Sequence, residues 1–332
     1  MSNHSNISIF VPHNGCPHQC SFCNQRYITK QSYSPTAKDV DEAVNIAINS
    51  ARYDKSNGQI AFFGGSFTAI ERNYMIELLS AAKRRIDLGD AESIRISTRP
   101  DCINSEILDL LKKYGVRSIE LGAQSMNDDV LRLNERGHDS KAVENASRLI
   151  KENGFELGLQ MMTGLYGDND DNAIHTAKKF IELYADTVRI YPTIVLDNTR
   201  LCEIYKSGNY RPQTVDEAVD LGAKLCEMFY NADIPVIRFG LHTIDEEHYV
   251  AGPWHPALAE LVYSKMYLNK ALSELKNQPF GRYILCVSPK SVSKMSGQHK
   301  CNLEKLRKMG YNCKIGQDES IAPYQVKIKR EE

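Results

Sequence analysis

Three cysteines near the start of the chain have the types and the spacing to bind a metal. The segment NGCPHQCSFCNQ contains Cys16, Cys20 and Cys23, separated by three and then by two residues. Thiolates at this spacing can bind one metal ion or cluster from a single loop. A structural zinc site needs a fourth protein ligand, which His13 or His18 could supply. A four-iron cluster takes one cysteine per iron, so three cysteines would leave one iron open to a small molecule.

The elements that must position this loop follow a regular alternation. Short apolar runs alternate with longer amphipathic segments, and the runs that predict strands are residues 7–12, 59–65, 93–100, 118–125, 156–164 and 187–194. Parallel strands need a long crossover, which a helix usually supplies, so this alternation predicts a parallel sheet. A partial or complete barrel is favoured over an open doubly wound sheet. In either fold the ligands bind beyond the carboxyl ends of the strands, where the cysteine loop lies.

The pattern changes after residue 210. A predicted helix over residues 214–232 is followed by PVIRFGLHT, a GPWHP loop, a further helix, and a strand–helix–strand segment near the end. The sequence therefore predicts an α/β protein. We expect a partial TIM barrel of the (β/α)6 type over residues 1–210, with a small α/β extension over residues 211–332 that closes the substrate side.

Composition limits the class of protein. The chain has 332 residues, 42% of them hydrophobic and 25% charged, which is ordinary for a soluble globular protein. It contains no apolar run of the length that spans a membrane and no signal peptide, and its other cysteines are scattered as free thiols usually are, so we expect a cytoplasmic protein without membrane contact.

The distribution of charge indicates whether the protein binds nucleic acid. The net charge of −1 argues against a dedicated nucleic-acid binder. Residues 289–316, however, contain seven lysines and arginines and one acidic residue, Glu304. This segment is either a solvated face or a patch that contacts phosphates.

The sequence of the cysteine loop resembles a known family motif. CPHQCSFC resembles the CxxxCx(aromatic)C loop of radical S-adenosylmethionine (SAM) enzymes. The resemblance implies that Cys16, Cys20 and Cys23 hold a [4Fe-4S] cluster whose fourth iron is chelated by SAM. Reductive cleavage of SAM would then give a 5′-deoxyadenosyl radical that abstracts a hydrogen from the substrate. An electron donor such as flavodoxin or ferredoxin is implied as a partner.

Other motifs match the same family in order and position. They are FFGGSFT after the second run, STRPD after the third, ELGAQS with NERGH after the fourth, and LQMMTGLYG in the fifth. In FFGGSFT a serine replaces the acidic residue of the commonest form, so recognition of the SAM amine would rest more on main-chain carbonyls. The residues that the resemblance assigns to SAM binding are Phe22, Gly64, Gly65, Ser66, Thr98, Gln124, Arg136 and Gln160.

The motifs TRPD, ELGAQS, RGH, IYPT and GPWHP are similar to the radical SAM domain of the elongator catalytic subunit and its short bacterial relatives. Those relatives include queuine lyases, which cleave a C–N bond of queuine and release 7-aminomethyl-7-deazaguanine. Length and charge make this small-molecule reaction the leading expectation. An elongator-like enzyme that modifies tRNA and a non-catalytic zinc-binding module are the alternatives. The residues expected at the substrate are Met161, Tyr191, Asp197, Asn198, Arg238 and His242.

Overall fold

A curled parallel sheet forms a half-barrel at the centre of the molecule. The computed structural model describes residues 5–12, 19–24, 33–241 and 246–331, and strands and helices are numbered in chain order. The sheet has seven strands in the order β1-β2-β3-β4-β5-β6-β8, all paired in parallel. They are β1 Ser5–Val11, β2 Gly58–Gly64, β3 Ser93–Thr98, β4 Val116–Gln124, β5 Glu156–Thr163, β6 Thr187–Pro192 and β8 Val236–Phe239. The predicted fold class is confirmed, and one more strand joins the sheet than the six expected.

Helices connect the strands, and most of them cover the outer face of the sheet, whereas α7 packs beside the cysteine loop. They are α1 Ala37–Ile48, α2 Arg72–Asp87, α3 Ser105–Lys113, α4 Asp128–Leu133, α5 Ser140–Glu152, α6 Asp170–Glu182, α7 Arg200–Lys206 and α8 Val215–Asn231. Asn104 begins α3, and its side chain accepts a hydrogen bond from the backbone N–H of Ile107. Gly115 and Gly154 follow α3 and α5 with φ of 82° and 80°, the left-handed conformation that glycine adopts without strain. Both glycines therefore lie where a helix ends.

Each strand of the half-barrel has one face toward the helices and one toward the interior, because successive side chains point to opposite faces. In β3, Ile94 and Ile96 are fully buried in the hydrophobic core, whereas Arg95 between them points inward and is only 3% exposed. In β6, Val188 and Ile190 are likewise buried in the core. The interior of the barrel can therefore hold polar and charged side chains, while the apolar core lies outside it, under the helices.

The C-terminal part forms its own small sheet. Its strands β10 Gly281–Val287, β11 Tyr311–Gln317 and β12 Lys327–Arg330 have the order β11-β10-β12. The helices of this part are α9 Leu258–Leu275, α10 Val292–Ser296 and α11 Cys301–Lys308. The sequence predicts a strand–helix–strand segment here, so the prediction missed one strand, β11. Polar residues alternate with Tyr311, Cys313 and Ile315 in β11, so its apolar content is low, although its buried side chains pack against those of β10.

A two-stranded antiparallel sheet links the two parts. Its strands are β7 Val195–Leu196, directly after β6, and β9 Tyr249–Ala251, which leads into the GPWHP loop. The boundary expected at residue 210 stays a prediction, and the sheet of the barrel continues past it through β8. Among the described residues, no helix combines the length and the apolar character needed to cross a lipid bilayer.

Candidate active site

The carboxyl ends of the strands surround a cavity of about 540 Å³. This volume lies within the range of small-molecule and cofactor sites. The cavity is lined by most of the residues that the sequence singled out, which are Cys20, Phe22, Cys23, Gly64, Gly65, Ser66, Thr98, Gln124, Arg136, Gln160, Tyr191 and Arg238. Strands distant in sequence thus bring the cysteine loop, the glycines and the polar strand ends to one place.

The described part of the cysteine loop is fixed by hydrogen bonds to two other segments. Ser21 donates from its backbone N–H to the carbonyl of Asn134 at 3.2 Å, and from its hydroxyl to the Asn134 side chain at 3.0 Å. Its carbonyl accepts from the N–H of Leu201, in α7, at 2.8 Å. Cys23 N–H donates to the Cys20 carbonyl at 3.0 Å, and both cysteines line the cavity. Cys16 lies outside the described residues.

Arg136 connects the cysteine loop to the strand ends. Its Nη1 lies 3.0 Å from the Sγ of Cys20, and its Nη2 donates to the carbonyl of Gly122 at 2.5 Å. The side chain is buried, and its Nε has no hydrogen-bond partner among the described residues. Through this contact the guanidinium donates a hydrogen bond to the Cys20 sulfur and fixes its position beside Gly122.

A second arginine holds Arg136 in place. Arg99, which follows β3, donates from Nη2 to the carbonyl of Arg136 at 2.6 Å and makes two 2.9 Å bonds to the carboxylate of Asp101. Its Nη1 is buried without a partner in the described part of the chain. The RGH and STRPD motifs therefore form one connected structure, with unused guanidinium donors beside the cavity.

Hydroxyl groups join the second and third strand ends. Thr98 Oγ1 lies 2.9 Å from Ser66 Oγ and 2.6 Å from Thr68 Oγ1, and the backbone N–H of Arg99 donates to Ser66 at 3.2 Å. The serine that replaces the family's acidic residue is thus held by neighbouring side chains. Gly64, before it, has a φ of 115°, and a Cβ there would lie 2.5 Å from the Val11 carbonyl. Only glycine fits that close approach between β1 and β2.

Two glutamines form the wall on β4 and β5. Gln160 Nε2 donates to Gln124 Oε1 at 3.3 Å. Gln124 has a φ of 67°, unusual for a residue other than glycine, and the β4–β5 register shifts between Gly122 and Gln124. This irregularity turns the Gln124 side chain into the cavity.

Four charged residues, here called the inner charge cluster, lie on the barrel interior: Arg95, Glu120, Arg189 and Arg238. Glu120 Oε1 accepts from Arg95 Nη1 at 2.8 Å and from Arg189 Nη2 at 3.0 Å, and its Oε2 lies 2.7 Å from Arg189 Nε. The Arg189 guanidinium also stacks over Phe63, 5.2 Å from the ring centre. Glu120, Arg189 and Arg238 all line the cavity.

Several predicted substrate residues lie elsewhere. Met161 is fully buried in the hydrophobic core, and its neighbour Met162 lines the cavity instead, because Met162 shares the inward face of β5 with Gln160. Asp197 and Asn198 follow β7, outside the cavity; Asp197 pairs with Lys206 at 3.4 Å. His242 lies outside the described residues.

Comparison with known proteins identifies the family of this chain. The sequence model of the Radical SAM superfamily matches residues 10–180, more than half of the chain, and a radical SAM C-terminal domain matches residues 185–268. The chain belongs to the radical SAM superfamily. It is therefore a radical SAM enzyme, and this superfamily uses a [4Fe-4S] cluster and SAM as cofactors.

Its relatives within the superfamily include elongator proteins, as the motifs indicate. Elongator complex protein 3 of Dictyostelium discoideum is 37% identical over 136 residues, which cover 40% of this chain and 24% of that protein. A tRNA uridine(34) acetyltransferase of Methanocaldococcus infernus is 29% identical over 187 residues, 49% of this chain and 34% of that protein. The radical SAM chain thus spans about a quarter to a third of these relatives.

A solved structure shares the fold. Elp3 of Methanocaldococcus infernus, with an N-terminal deletion, superposes with a TM-score of 0.60 over 80% of this chain and 63% of that chain, at 21% identity. The common barrel is consistent with the radical SAM assignment.

The described residues fit the radical SAM cofactors. Cys20 and Cys23 line the cavity and would supply two of the thiolate ligands, with the Arg136 guanidinium beside the first. The free donors, Nη1 of Arg99 and Nε of Arg136, suit a carboxylate such as that of SAM. The close approach at Gly64 leaves main-chain groups, rather than side chains, along that side of the cavity.

Sequence reasoning missed Arg189, Glu120, Phe63 and Met162. A signal for two of them was present, because a charged residue inside a strand of a parallel sheet covered by helices must point to the barrel interior. Their mutual pairing depends on the register of strands far apart in sequence, which no local pattern gives.

His138, in the RGH motif, provides a test of this packing. Burial, together with the neighbouring Arg136, lowers its pKa from 6.5 to about 4. Between those values the unfolded chain binds a proton that the folded chain does not, so folding stability must fall as the pH drops from 6.5 to 4. We expect His138→Gln to remove this loss. As the pH falls from 6.5 to 4, the free energy of unfolding of the variant should rise relative to that of the parent by on the order of 2 kcal/mol. Urea denaturation at a series of pH values measures it.

Asp168 should affect the pH dependence of stability in the direction opposite to that of His138. Burial raises the pKa of its carboxyl from 3.8 to about 6, so its contribution to stability is lost as the pH rises through that interval. As the pH rises through that interval, the free energy of unfolding of Asp168→Asn should therefore increase relative to that of the parent. Parallel pH profiles for the parent and His138→Gln would contradict the placement of His138.

Proposed function

We propose that this radical SAM enzyme modifies a nucleobase of tRNA. Its relatives by sequence include proteins named elongator complex protein 3 and tRNA uridine(34) acetyltransferase. The match to the radical SAM family, over residues 10–180, includes the cysteine, glycine and RGH motifs. The observation that carries the proposal is the inner charge cluster, which gives the substrate side of the cavity an excess of positive charge. A nucleotide of an RNA strand carries the complementary negative charge.

The cavity is accessible from the side of β1. Phe10 lines it and is 39% exposed to solvent. An enzyme that acts on a base must take that base out of the stack and receive it in a pocket, and aromatic side chains such as Phe10 and Phe63 are suited to stack on it. We infer that a flipped base enters here and reaches the cysteine side of the cavity.

The protein's own residues would bind and orient. Cys16, Cys20 and Cys23 would hold the cluster, and Arg99 and Arg136 would bind the SAM carboxylate. Gln124 and Gln160, bonded to each other, would fix the boundary between SAM and substrate. With an electron donor, the bound cofactors supply one-electron cleavage of SAM and abstraction of a hydrogen atom. The surrounding apolar and aromatic wall would exclude water from that chemistry.

Cleavage of queuine is the second candidate, favoured by the net charge of −1. A slot for a deazaguanine needs carboxylate or amide acceptors for its N–H groups. Glu120, the carboxylate that lines the described cavity, already pairs with Arg95 and Arg189, and the two glutamines bond to each other. These contacts favour a substrate with negative charge over a flat neutral base.

The experiment that tests the function is anaerobic incubation of the reconstituted enzyme with SAM and dithionite. One arm contains unmodified transcribed tRNA and the other contains queuine. Formation of 5′-deoxyadenosine that depends on tRNA, with a change in nucleoside mass after digestion, is the expected result. Release of 7-aminomethyl-7-deazaguanine from queuine, without any change in tRNA, would replace the proposal with the lyase reaction.

The basic segment at residues 289–316 gives a separate test of tRNA binding. Lys305, Arg307 and Lys308, in α11, are all exposed. Because contacts between basic side chains and phosphates release counterions, we expect reversal of all three to glutamate to weaken tRNA binding at least about tenfold at low salt and to flatten its salt dependence. Filter binding over a range of salt concentrations measures both.

A matched control reverses three exposed basic residues on the outer face of the barrel, Arg52, Lys112 and Lys113. It changes the net charge by the same amount and should leave binding near that of the parent. Equal losses in the two triple variants would show that only overall charge matters and would remove this segment from the tRNA interface.

A further inference from the structure

Arg238 is the member of the inner charge cluster that no acidic residue pairs with in the described part of the chain. It lies on β8, directly beside Arg189 in the paired register of β6 and β8. Like charges in such neighbouring positions repel each other. For Arg189 the repulsion is offset by Glu120, which it contacts through Nε and Nη2. For Arg238 the described residues 5–12, 19–24, 33–241 and 246–331 show no hydrogen bond or ion pair.

The charges of the cluster do not cancel. Arg95, Arg189 and Arg238 face one carboxylate, Glu120, whose two oxygens are already taken by the first two. Arginine keeps its proton at any physiological pH, so the cluster holds an excess of positive charge on the cavity wall. Burial lowers the pKa of Arg238, and Arg189 contributes in the same direction. Arg238 is partly buried, so its guanidinium has lost some of its hydration, and an anionic ligand would compensate for that loss.

The geometry of the guanidinium indicates the ligand. Its planar fork of N–H donors matches two oxygens of a carboxylate or a phosphate. We propose that Arg238, beside Arg189, forms an anion subsite that binds a carboxylate or phosphate group of the substrate. The inference deepens the proposed function, on which it rests for the identity of the substrate, since a nucleotide of tRNA carries such a group.

The position of the subsite would also orient the substrate. Arg238 lies on β8 at one end of the sheet, whereas Gln124, Arg136 and Gln160 lie at the ends of the central strands and beyond them. An anionic group bound at Arg238 leaves the rest of the substrate to extend along Tyr191 and Phe63 toward the cysteine loop. Arg238 would then be a specificity-determining residue rather than part of the SAM site.

The test uses small anions as probes of the reconstituted enzyme, without reductant. Saturating SAM is present so that Arg99 and Arg136 are occupied, and ionic strength is held constant with sodium chloride. At about 20 mM, inorganic phosphate or acetate should raise the thermal midpoint of the parent by about 2–4 °C, since a ligand stabilises the state that binds it. Whichever anion, phosphate or acetate, raises the midpoint more identifies whether the subsite binds a phosphate or a carboxylate group. Arg238→Gln should reduce the shift to below about 1 °C, and Arg238→Lys should restore part of it.

The control is Arg52→Gln, an exposed arginine on the outer surface, which should respond to both anions as the parent does. An equal midpoint shift in Arg238→Gln and the parent, or no shift in the parent with either anion, would overturn the proposal. Circular dichroism establishes that Arg238→Gln is folded before the comparison.

The outcome separates this inference from the proposed function. Anion stabilisation that depends on Arg238, in an enzyme that leaves tRNA unchanged, would keep the subsite and remove the tRNA assignment. An enzyme that modifies tRNA with the same KM in the parent and in Arg238→Gln would keep the function and remove the subsite.

Discussion

Substitution of Cys20 by serine is expected to reduce bound iron from about four per chain to less than one. A hydroxyl replaces the sulfur that the Arg136 guanidinium approaches at 3.0 Å, and a neutral hydroxyl is a poor ligand for iron. Formation of 5′-deoxyadenosine should fall at least about a thousandfold, because a cofactor that performs the bond cleavage is lost. Iron analysis, the visible spectrum and chromatography after anaerobic reconstitution measure these effects.

Cys301→Ser is the matched control. Cys301 begins α11, in the C-terminal part, and is partly buried like Cys23. Its substitution should leave the iron content and the activity within about twofold of the parent. A colourless parent protein that binds one zinc, with iron content unchanged by Cys20→Ser, would contradict the assignment of the cysteine loop to an iron–sulfur cluster.

The largest effect on stability is expected for Glu120→Gln. Its carboxylate is 3% exposed and pairs with Arg95, which is equally buried, and with Arg189. Removal of one partner of a buried ion pair leaves uncompensated charge, so we expect the free energy of unfolding to fall by about 3–5 kcal/mol. Urea denaturation followed by circular dichroism measures the change.

Glu106→Gln is the control for Glu120→Gln, since Glu106 pairs with Arg72 on the surface and its side chain is 77% exposed. Exposed pairs contribute little, so a loss below about 1 kcal/mol is expected. An equally small decrease in the free energy of unfolding for Glu120→Gln and Glu106→Gln would show that the buried contacts of the inner charge cluster are not formed in solution.

The strands of the half-barrel follow from the sequence to within a few residues, because their apolar runs are bounded by glycine and polar residues. The fifth run predicts a strand over residues 156–164, and the structure has Glu156–Thr163. The cysteine spacing and the glycine motif are local in sequence, and local patterns are what a single sequence carries. The structure places Cys20, Cys23, Gly64 and Gly65 at one cavity.

The rest of the site depends on relations between distant residues. Met161 was predicted beside Gln160, although consecutive residues of a strand point to opposite faces, and Met162 is the one that shares the face. The pairing of Glu120 with Arg95 and Arg189 needs the register of β3, β4 and β6. Asp197 and Asn198 leave the cavity because β7 pairs with β9, a contact set by residues about fifty positions later.

The order of strands in the half-barrel, with β1 at one end and β8 at the other, has a mechanical consequence. A closed ring of strands fixes its own diameter, because any widening breaks hydrogen bonds all around the circumference. An arc with two ends can change its width by a small adjustment of twist, at no cost in ladder bonds. A change of twist at the β8 end would therefore alter the distance between Phe10 and Arg238 while Gly64 of β2 keeps its contact with Val11 of β1.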